Sequence, residues 1–164
     1  MKVLFAIRDD NNIVDTIVRK YQRDYGKKIV YKEVNNFTAI LRELQQNNNY
    51  DRIVISDDID EKINKSENKS KLILAKLKSI RSVALKNNKQ IPIIFLSNNK
   101  KMNKYLYELN IYNGINGADI TKKRIYELTI KPRNKSQAGD YYNIKDEVIN
   151  KKKKIEKSYL IRIL

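Results

Sequence analysis

Short apolar segments alternate with longer segments of helical periodicity through the first 130 residues of the chain. The short segments have the length and the β-branched content of strands, and they lie at 2–7, 28–34, 52–56, 91–96 and 111–115. The longer segments carry apolar side chains three and four residues apart, as amphipathic helices do. Strand–helix units in succession predict an α/β fold with a parallel sheet and helices on both of its faces.

Residues that begin or end helices stand at the boundaries of this pattern. Gly26 is placed to end the first helix, and Asn36, Ser70 and Thr121 are placed to cap the second, third and fifth helices. Residues 58–69 are polar and rich in Lys, Asn and Ser. We therefore expect a loop there, covering or framing the end of the third strand.

The character of the chain changes after residue 130. Lys131–Lys135 is a basic stretch with a proline and predicts a linker, and Tyr141–Lys154 has a helical pattern that ends in four lysines. The chain then closes on an apolar stretch, for which we expect a partner or a continuation of the natural chain. These features predict a domain over residues 1–130, followed by a basic linker and helical tail over 131–164.

The amino-acid composition excludes several kinds of chemistry. The chain contains no Cys and no His, which removes disulfides, Cys/His zinc sites, thiol nucleophiles and histidine-dependent triads. No apolar run approaches the roughly 18 residues of a membrane span. The first residues turn acidic too soon for a secretion signal. We therefore expect a cytoplasmic protein with no membrane association.

The formal net charge of +16 raises the possibility of a nucleic-acid partner. However, the chain has 26 Lys and only 9 Arg, together with 20 Asn. Nucleic-acid contacts favour Arg for its flat, two-pronged guanidinium, whereas Ile, Asn and Lys together indicate a coding bias toward A and T. Nucleic-acid binding therefore stays open without being the favoured reading.

Acidic residues follow two of the predicted strands. Asp9 and Asp10 come directly after the first, and Asp57, Asp58 and Asp60 come after the third. Parallel strands bring their carboxyl ends to one edge of a sheet, where clustered carboxylates either hold a divalent cation or repel one another. A Mg²⁺ site is one interpretation. In the other, the first pair simply opens a helix and the second group is a solvated turn.

The strand ends resemble those of a response-regulator receiver (CheY-like) domain. An acid pair follows the first strand, Tyr50–Asp57 fits the segment that ends in the phosphate-accepting Asp, and Ile91–Ser97 fits the segment that ends in Ser or Thr. The resemblance implies a flavodoxin-like doubly wound sandwich with strand order 2-1-3-4-5. It also implies that Asp9, Asp10 and Asp57 hold Mg²⁺, that Asp57 is the phosphoacceptor, and that Ser97 contacts the phosphoryl group.

Two departures from the receiver pattern predict an atypical member of that family. Receivers end the fifth strand with Lys followed by Pro, whereas this chain reads Ile111–Gly117 without a Lys. The usual proline-bearing loop after the phosphorylated Asp is also missing, and Asp58–Lys62 leads into a long polar insertion instead. Without that lysine a phosphoryl group loses a counter-charge, so phosphorylation of Asp57 stays open.

A second resemblance is carried by residues between Leu109 and Tyr142. It is to the receiver-like N-terminal segments of clostridial ATPases, which are similar to pilus-assembly and partition ATPases of the TadZ/CpaE type. The residues that carry it are Leu109–Gly114, Ile125–Leu128, Lys131–Arg133, Ala138 and Tyr141–Tyr142. In such proteins the next domain would bear the phosphate-binding loop, which this chain lacks. The resemblance implies a downstream ATPase or effector domain as a partner.

We therefore expect a regulatory or signalling interaction module rather than an enzyme, with a protein partner or self-association through residues 97–130. The alternative is a basic nucleic-acid-associated protein of a conjugation or partition system. A metal-dependent nuclease or primase-type site would also use acids after the first and third strands. Such sites usually have a Glu near the first strand and ordered glycines, and neither is present here.

Overall fold

A computed structural model describes residues 1–144 and centres on a sheet of five parallel strands. The strands in the described residues are β1 (Lys2–Ala6), β2 (Val30–Glu33), β3 (Arg52–Ser56), β4 (Leu85–Lys86), β5 (Lys89–Gln90), β6 (Ile93–Leu96) and β7 (Asn113–Ile115). The five-stranded sheet has the order β2-β1-β3-β6-β7, and every neighbouring pair is parallel. The predicted α/β fold with a five-stranded parallel sheet is thereby confirmed.

Helices pack on both faces of this sheet. They are α1 (Ile13–Tyr25), α2 (Phe37–Gln46), α3 (Glu61–Asn64), α4 (Lys69–Val83), α5 (Asn103–Glu108), α6 (Lys122–Ile130) and α7 (Lys135–Tyr142). Side chains of β1 alternate between two cores: Leu4 lies in the core under α2, α4, α5 and α7, and Phe5 lies in the core under α1 and α6. The middle of β3 is buried on both faces, as its continuous apolar sequence predicts.

Most of the predicted helix boundaries are confirmed. Gly26 ends α1 in the left-handed conformation, with φ of 65°. The side chains of Asn36 and Thr121 accept hydrogen bonds from the third main-chain N–H of α2 and α6. Ser70 is an exception, because α4 already begins at Lys69 and no side chain caps it.

Two elements were not predicted from the sequence. Residues 58–69, expected to form a loop, contain the single-turn helix α3, in which the N–H of Ile63 donates to the side chain of Asp60. Strands β4 and β5 form an antiparallel hairpin outside the main sheet. Its two-residue turn is Asn87-Asn88, with φ of 53° and 62°, the positive values that tight hairpin turns require.

The described part of the predicted linker and tail packs against the domain. Helix α7 contacts α5, and the buried side chains of Ala138 and Tyr142 belong to the core. Helix α7 (Lys135–Tyr142) precedes most of the helix predicted at Tyr141–Lys154, which falls largely outside the described residues and stays a prediction. Residues 145–164, including the four lysines, lie outside the described residues. The division of the chain at residue 130 stays a prediction.

The two outer strands of the sheet differ in how their free edges are used. All four residues of β2 are exposed, and Val30 and Tyr31 are 62% and 45% exposed. In contrast, side chains from the segment after α6 cover part of β7. The N–H of Gly114 donates to the hydroxyl of Tyr142, and the guanidinium of Arg133 donates to the carbonyl of Gly114. Within residues 1–144, no helix combines the length and apolar character needed to cross a membrane.

Candidate functional site

The carboxyl ends of β1, β3 and β6 surround one cavity of about 350 Å³. Asp10 follows β1, Asp57 follows β3 and Ser97 follows β6, and all three line this cavity. They meet because the three strands are adjacent and parallel, so that the chain leaves each of them at the same edge of the sheet. We refer to this as the Asp57 cavity.

A direct hydrogen bond joins two of the predicted site residues. The hydroxyl Oγ of Ser97 donates to Oδ2 of Asp57 at 2.7 Å. The main chain fixes both side chains in place: the N–H of Asp57 donates to the carbonyl of Leu96 at 3.0 Å, and the N–H of Ser97 donates to the carbonyl of Ile115 at 3.0 Å. Ser97 is buried, so its hydroxyl is held toward the carboxylate rather than toward bulk water.

The environment of Asp57 raises the pKa of its carboxyl group. Burial is the largest cause, since it disfavours the charged form. The hydrogen bond from Ser97 and the positive charge of Lys69 act in the opposite direction, and the neighbouring Asp58 raises the pKa a little further. Perturbed carboxyl groups in a cleft are typical of functional sites, although structural networks also produce them.

Asp9 has a different role from the other predicted ligands. Its Oδ1 accepts hydrogen bonds from the N–H groups of Ile13 and Val14 at the start of α1. Asn12, which precedes α1, makes no such side-chain bond, so Asp9 satisfies these donors in its place. This is the helix-opening role that the sequence left as an alternative. Asp9 does not line the Asp57 cavity.

The acids after β3 also make local contacts. Asp58 accepts a hydrogen bond from the hydroxyl of Ser56, and Asp60 caps α3 through the N–H of Ile63. Across residues 1–144, no group of three or more acidic side chains is arranged so that it could hold a metal ion. The structure thus brings Asp10, Asp57 and Ser97 together and leaves Asp9 apart from them.

Asn116 directly follows β7. This residue is buried, and its Nδ2 donates to the carbonyl of Ser97 at 2.9 Å. Its Oδ1 accepts from Nδ2 of Asn103 at 2.8 Å. Asn116 therefore ties the ends of β6 and β7 together without bringing a charge to the cavity.

A lysine approaches the Asp57 cavity from another element. Lys69 begins α4, and the next residue, Ser70, accepts a hydrogen bond from the side chain of Asn99 at 3.2 Å. The N–H of Asn99 in turn donates to Oγ of Ser97 at 3.1 Å. This chain of contacts holds the start of α4 beside the Asp57–Ser97 pair. It explains why the charge of Lys69 is felt at Asp57.

Sequence reasoning did not find Lys69 or Asn116. Asn116 could have been found, because it directly follows the predicted fifth strand. Lys69 gave no such signal, since it lies in a lysine-rich segment whose path depends on the turn of α3.

Comparisons with known proteins give no assignment. No family model matches the sequence, and no curated protein matches it. One solved structure that matches is a trimeric coiled coil of yeast Spc42, amino acids 181–211, fused to another protein. It is 12% identical, with 98% of this chain and 95% of that chain covered and a TM-score of 0.49. A similarity of this size carries no argument about function.

Proposed function

We propose that this chain is an atypical receiver-like module that regulates a partner protein through the state or the surface of the Asp57 site. If only the strands of the main sheet are counted along the chain, their order is 2-1-3-4-5. That order belongs to the flavodoxin-like doubly wound class, in which ligands bind beyond the carboxyl ends of the strands. The candidate site lies at that edge, and we place its role in regulation rather than in catalytic turnover.

The observation that carries the proposal is the 2.7 Å hydrogen bond from Ser97 to Asp57 in a cavity that Asp10 also lines. In phosphoryl transfer from a donor such as acetyl phosphate, an oxygen of Asp57 would form a bond to phosphorus while the bond from phosphorus to the acetate oxygen breaks. Acetate leaves with that electron pair, and the hydroxyl of Ser97 is placed to donate to a phosphoryl oxygen.

The donor set of the cavity suits a Mg²⁺ ion held by few protein ligands. Mg²⁺ usually keeps several waters and binds one or two carboxylates together with phosphate. Asp10 and Asp57 would hold it here, because both line the cavity, whereas the carboxylate of Asp9 is bonded to the start of α1. When bound, the ion would supply positive charge against the phosphoryl group.

The counter-charge in this proposal comes from Lys69 in place of the lysine that receivers carry after the fifth strand. Asn116 fills that position and is neutral. Lys69 acts from the start of α4, an element separate from β7, so its position is not coupled to the end of β7 as that of a receiver lysine would be. This is the structural reason for expecting an altered switch, including one that works without phosphorylation.

The proposed docking surface for a protein partner or a second copy is residues 97–130. Helix α7 covers part of α5 and the free edge of β7. The accessible part of this surface is therefore the outer side of α5, where Tyr105 is 49% exposed, together with α6. Exposed aromatic residues of this kind are enriched in protein interfaces.

Beryllofluoride or acetyl phosphate, each with Mg²⁺, tests the phosphoacceptor role directly. We expect the mass of one phosphoryl group to be added with acetyl phosphate, and amide chemical-shift changes around Asp57 and Ser97 with beryllofluoride. Asp57→Asn should abolish both signals, and Asp10→Asn should weaken them. If the wild-type protein gives neither signal, phosphorylation is refuted, and only a module that signals through its unmodified surface remains.

The second candidate is a nucleic-acid-associated protein, which the net charge of +16 favours. Counterion release makes such binding fall steeply with salt. Tight binding to duplex DNA at physiological ionic strength, with a steep salt dependence and no response to Asp57→Asn, would support this candidate over the receiver-like module.

A further inference from the structure

A second and larger cavity lies beside the Asp57 cavity, at the same edge of the sheet. Its volume is about 770 Å³, and we call it the Arg42 cavity. It is open to solvent and bounded by the segment after β1, the start of α2 and the segment around α3; lining residues include Arg8, Asn36, Thr38, Arg42, Ile59 and Lys62. Sites for small molecules typically occupy clefts of about 300–1,000 Å³, so the cavity has room for a ligand of nucleotide size.

Three cationic side chains from three different segments converge on this cavity. Arg8 follows β1, Arg42 lies on α2 and Lys62 lies on α3. Elsewhere, cations such as Lys32, Lys86 and Arg124 are paired with carboxylates. Within residues 1–144, Arg8, Arg42 and Lys62 make neither an ion pair nor a side-chain hydrogen bond.

The acids on the cavity wall do not neutralise these cations by contact. Asp60 is bonded to the N–H of Ile63, and Glu61 occupies the first turn of α3, where a carboxylate is favoured by the helix itself. Asp10 lies at the boundary with the Asp57 cavity, since it lines both. The guanidinium groups of Arg8 and Arg42 therefore remain available to an incoming anion.

The start of α2 adds hydrogen-bond donors to the same wall. Asn36 caps this ten-residue helix by accepting from the N–H of Ala39 at 2.7 Å. The earlier N–H groups, including that of Thr38, have no acceptor within the helix. Apolar side chains of Ile7, Ala39 and Ile59 complete the lining and offer a surface for an uncharged part of a ligand.

We propose that the Arg42 cavity binds a small molecule that bears a phosphate group. The phosphate would lie between the guanidiniums of Arg8 and Arg42 and the start of α2, with Lys62 above it. Guanidinium groups suit this role because their paired N–H donors match the geometry of phosphate oxygens. The site is separate from the proposed phosphorylation of Asp57 and does not depend on it.

Titration calorimetry of the full chain with inorganic phosphate, pyrophosphate and ADP tests the proposal. We expect saturable binding of at least one of these probes and competition by inorganic phosphate. Arg42→Gln should weaken it about tenfold or more, the effect of losing a charged hydrogen bond. Lys78 lies at an exposed position on α4, outside the cavity. Lys78→Gln removes the same charge and should leave the affinity unchanged.

Asp57→Asn separates this site from the proposed receiver-like function. Binding should persist in that variant even if the protein fails to respond to beryllofluoride. The proposal is overturned if none of the three probes binds saturably. It is equally overturned if Arg42→Gln and Lys78→Gln weaken binding by the same factor, which would indicate attraction to the overall charge, or if Asp57→Asn abolishes binding.

Discussion

Removal of one hydroxyl group, by Tyr142→Phe, is expected to weaken the docking of α7 on the sheet. The Tyr142 hydroxyl donates to the carbonyl of Ile111 at 2.8 Å and accepts from the N–H of Gly114 at 2.7 Å. The side chain is only 6% exposed, so water cannot readily replace it. Phe keeps the ring and its packing, and the variant therefore isolates the two hydrogen bonds.

The expected loss of stability comes from the two main-chain groups that lose their hydrogen-bond partner. An ordinary hydrogen bond contributes a net of about 1 kcal/mol, and a buried main-chain group without a partner costs about 1–3 kcal/mol. Because Tyr142→Phe strands one donor and one acceptor, we expect the free energy of unfolding to fall by about 2–4 kcal/mol. This is a large fraction of the 5–15 kcal/mol that is typical of a domain.

Urea denaturation of the full chain, followed by circular dichroism, measures this loss. Tyr141→Phe is the matched control, because its hydroxyl bonds to Asn116 and Asp119 at a more exposed position. Tyr141→Phe leaves one main-chain group, the N–H of Asn116, without this partner, so we expect the control to lose about 1–2 kcal/mol, less than Tyr142→Phe. A loss below about 0.5 kcal/mol for Tyr142→Phe, or a loss no larger than that of the control, would refute the reasoning.

Three further predictions concern the same sheet. Gly114→Ala should destabilise the protein by about 1–3 kcal/mol in the same urea assay, because the new Cβ would lie 2.6 Å from the hydroxyl oxygen of Tyr142. An unchanged midpoint of the urea transition would contradict this close approach. Burial raises the pKa of Asp57, so the folded state binds the carboxyl proton more tightly than the unfolded state does. The free energy of unfolding therefore falls as pH rises from the carboxyl pKa of the unfolded state through that of the folded state. Asp57→Asn should therefore be more stable than the wild type at neutral pH, with a difference that vanishes in acid below the ordinary carboxyl pKa; equal melting temperatures at neutral pH would oppose this. Lys69→Gln should raise the pKa of the Asp57 carboxyl further, as followed by carbon-detected NMR titration, whereas an unchanged pKa would show that Lys69 does not act on the site.

The sequence predicts this fold best where a strand is buried on both faces or a side chain closes its own turn. The apolar run at 52–56 is strand β3 with the same bounds, and Asn36 and Thr121 cap the helices that they precede. It predicts poorly where few side chains are buried. Helix α7 presents a small buried face that includes Ala138 and Tyr142, and no helix was predicted over most of its length.

The hairpin of β4 and β5 has a turn sequence that could have been recognised, but its strands are too short to be predicted. Asn87 and Asn88 adopt the positive φ values that asparagine tolerates well, yet each flanking strand has only two residues. A strand of that length leaves no alternation to detect.

The candidate site likewise has features that the sequence predicts and features that it does not. The proximity of Asp57 and Ser97 follows from sheet topology alone, because both residues leave neighbouring parallel strands at one edge. The role of Asp9 depends on the left-handed conformation of Asn12, with φ of 53°, which leaves the first donors of α1 to another acceptor. The position of Lys69 depends on how α3 redirects the chain, which no local pattern encodes.

The unequal outer strands limit how this sheet can grow by adding strands. Within residues 1–144, Tyr142 and Arg133 occupy main-chain groups of β7, which leaves the exposed β2 as the edge of the main sheet that can accept a further strand. Two copies joined there would leave only the two blocked β7 edges outside. Association of this kind would stop at a pair instead of continuing as an open-ended stack of sheets.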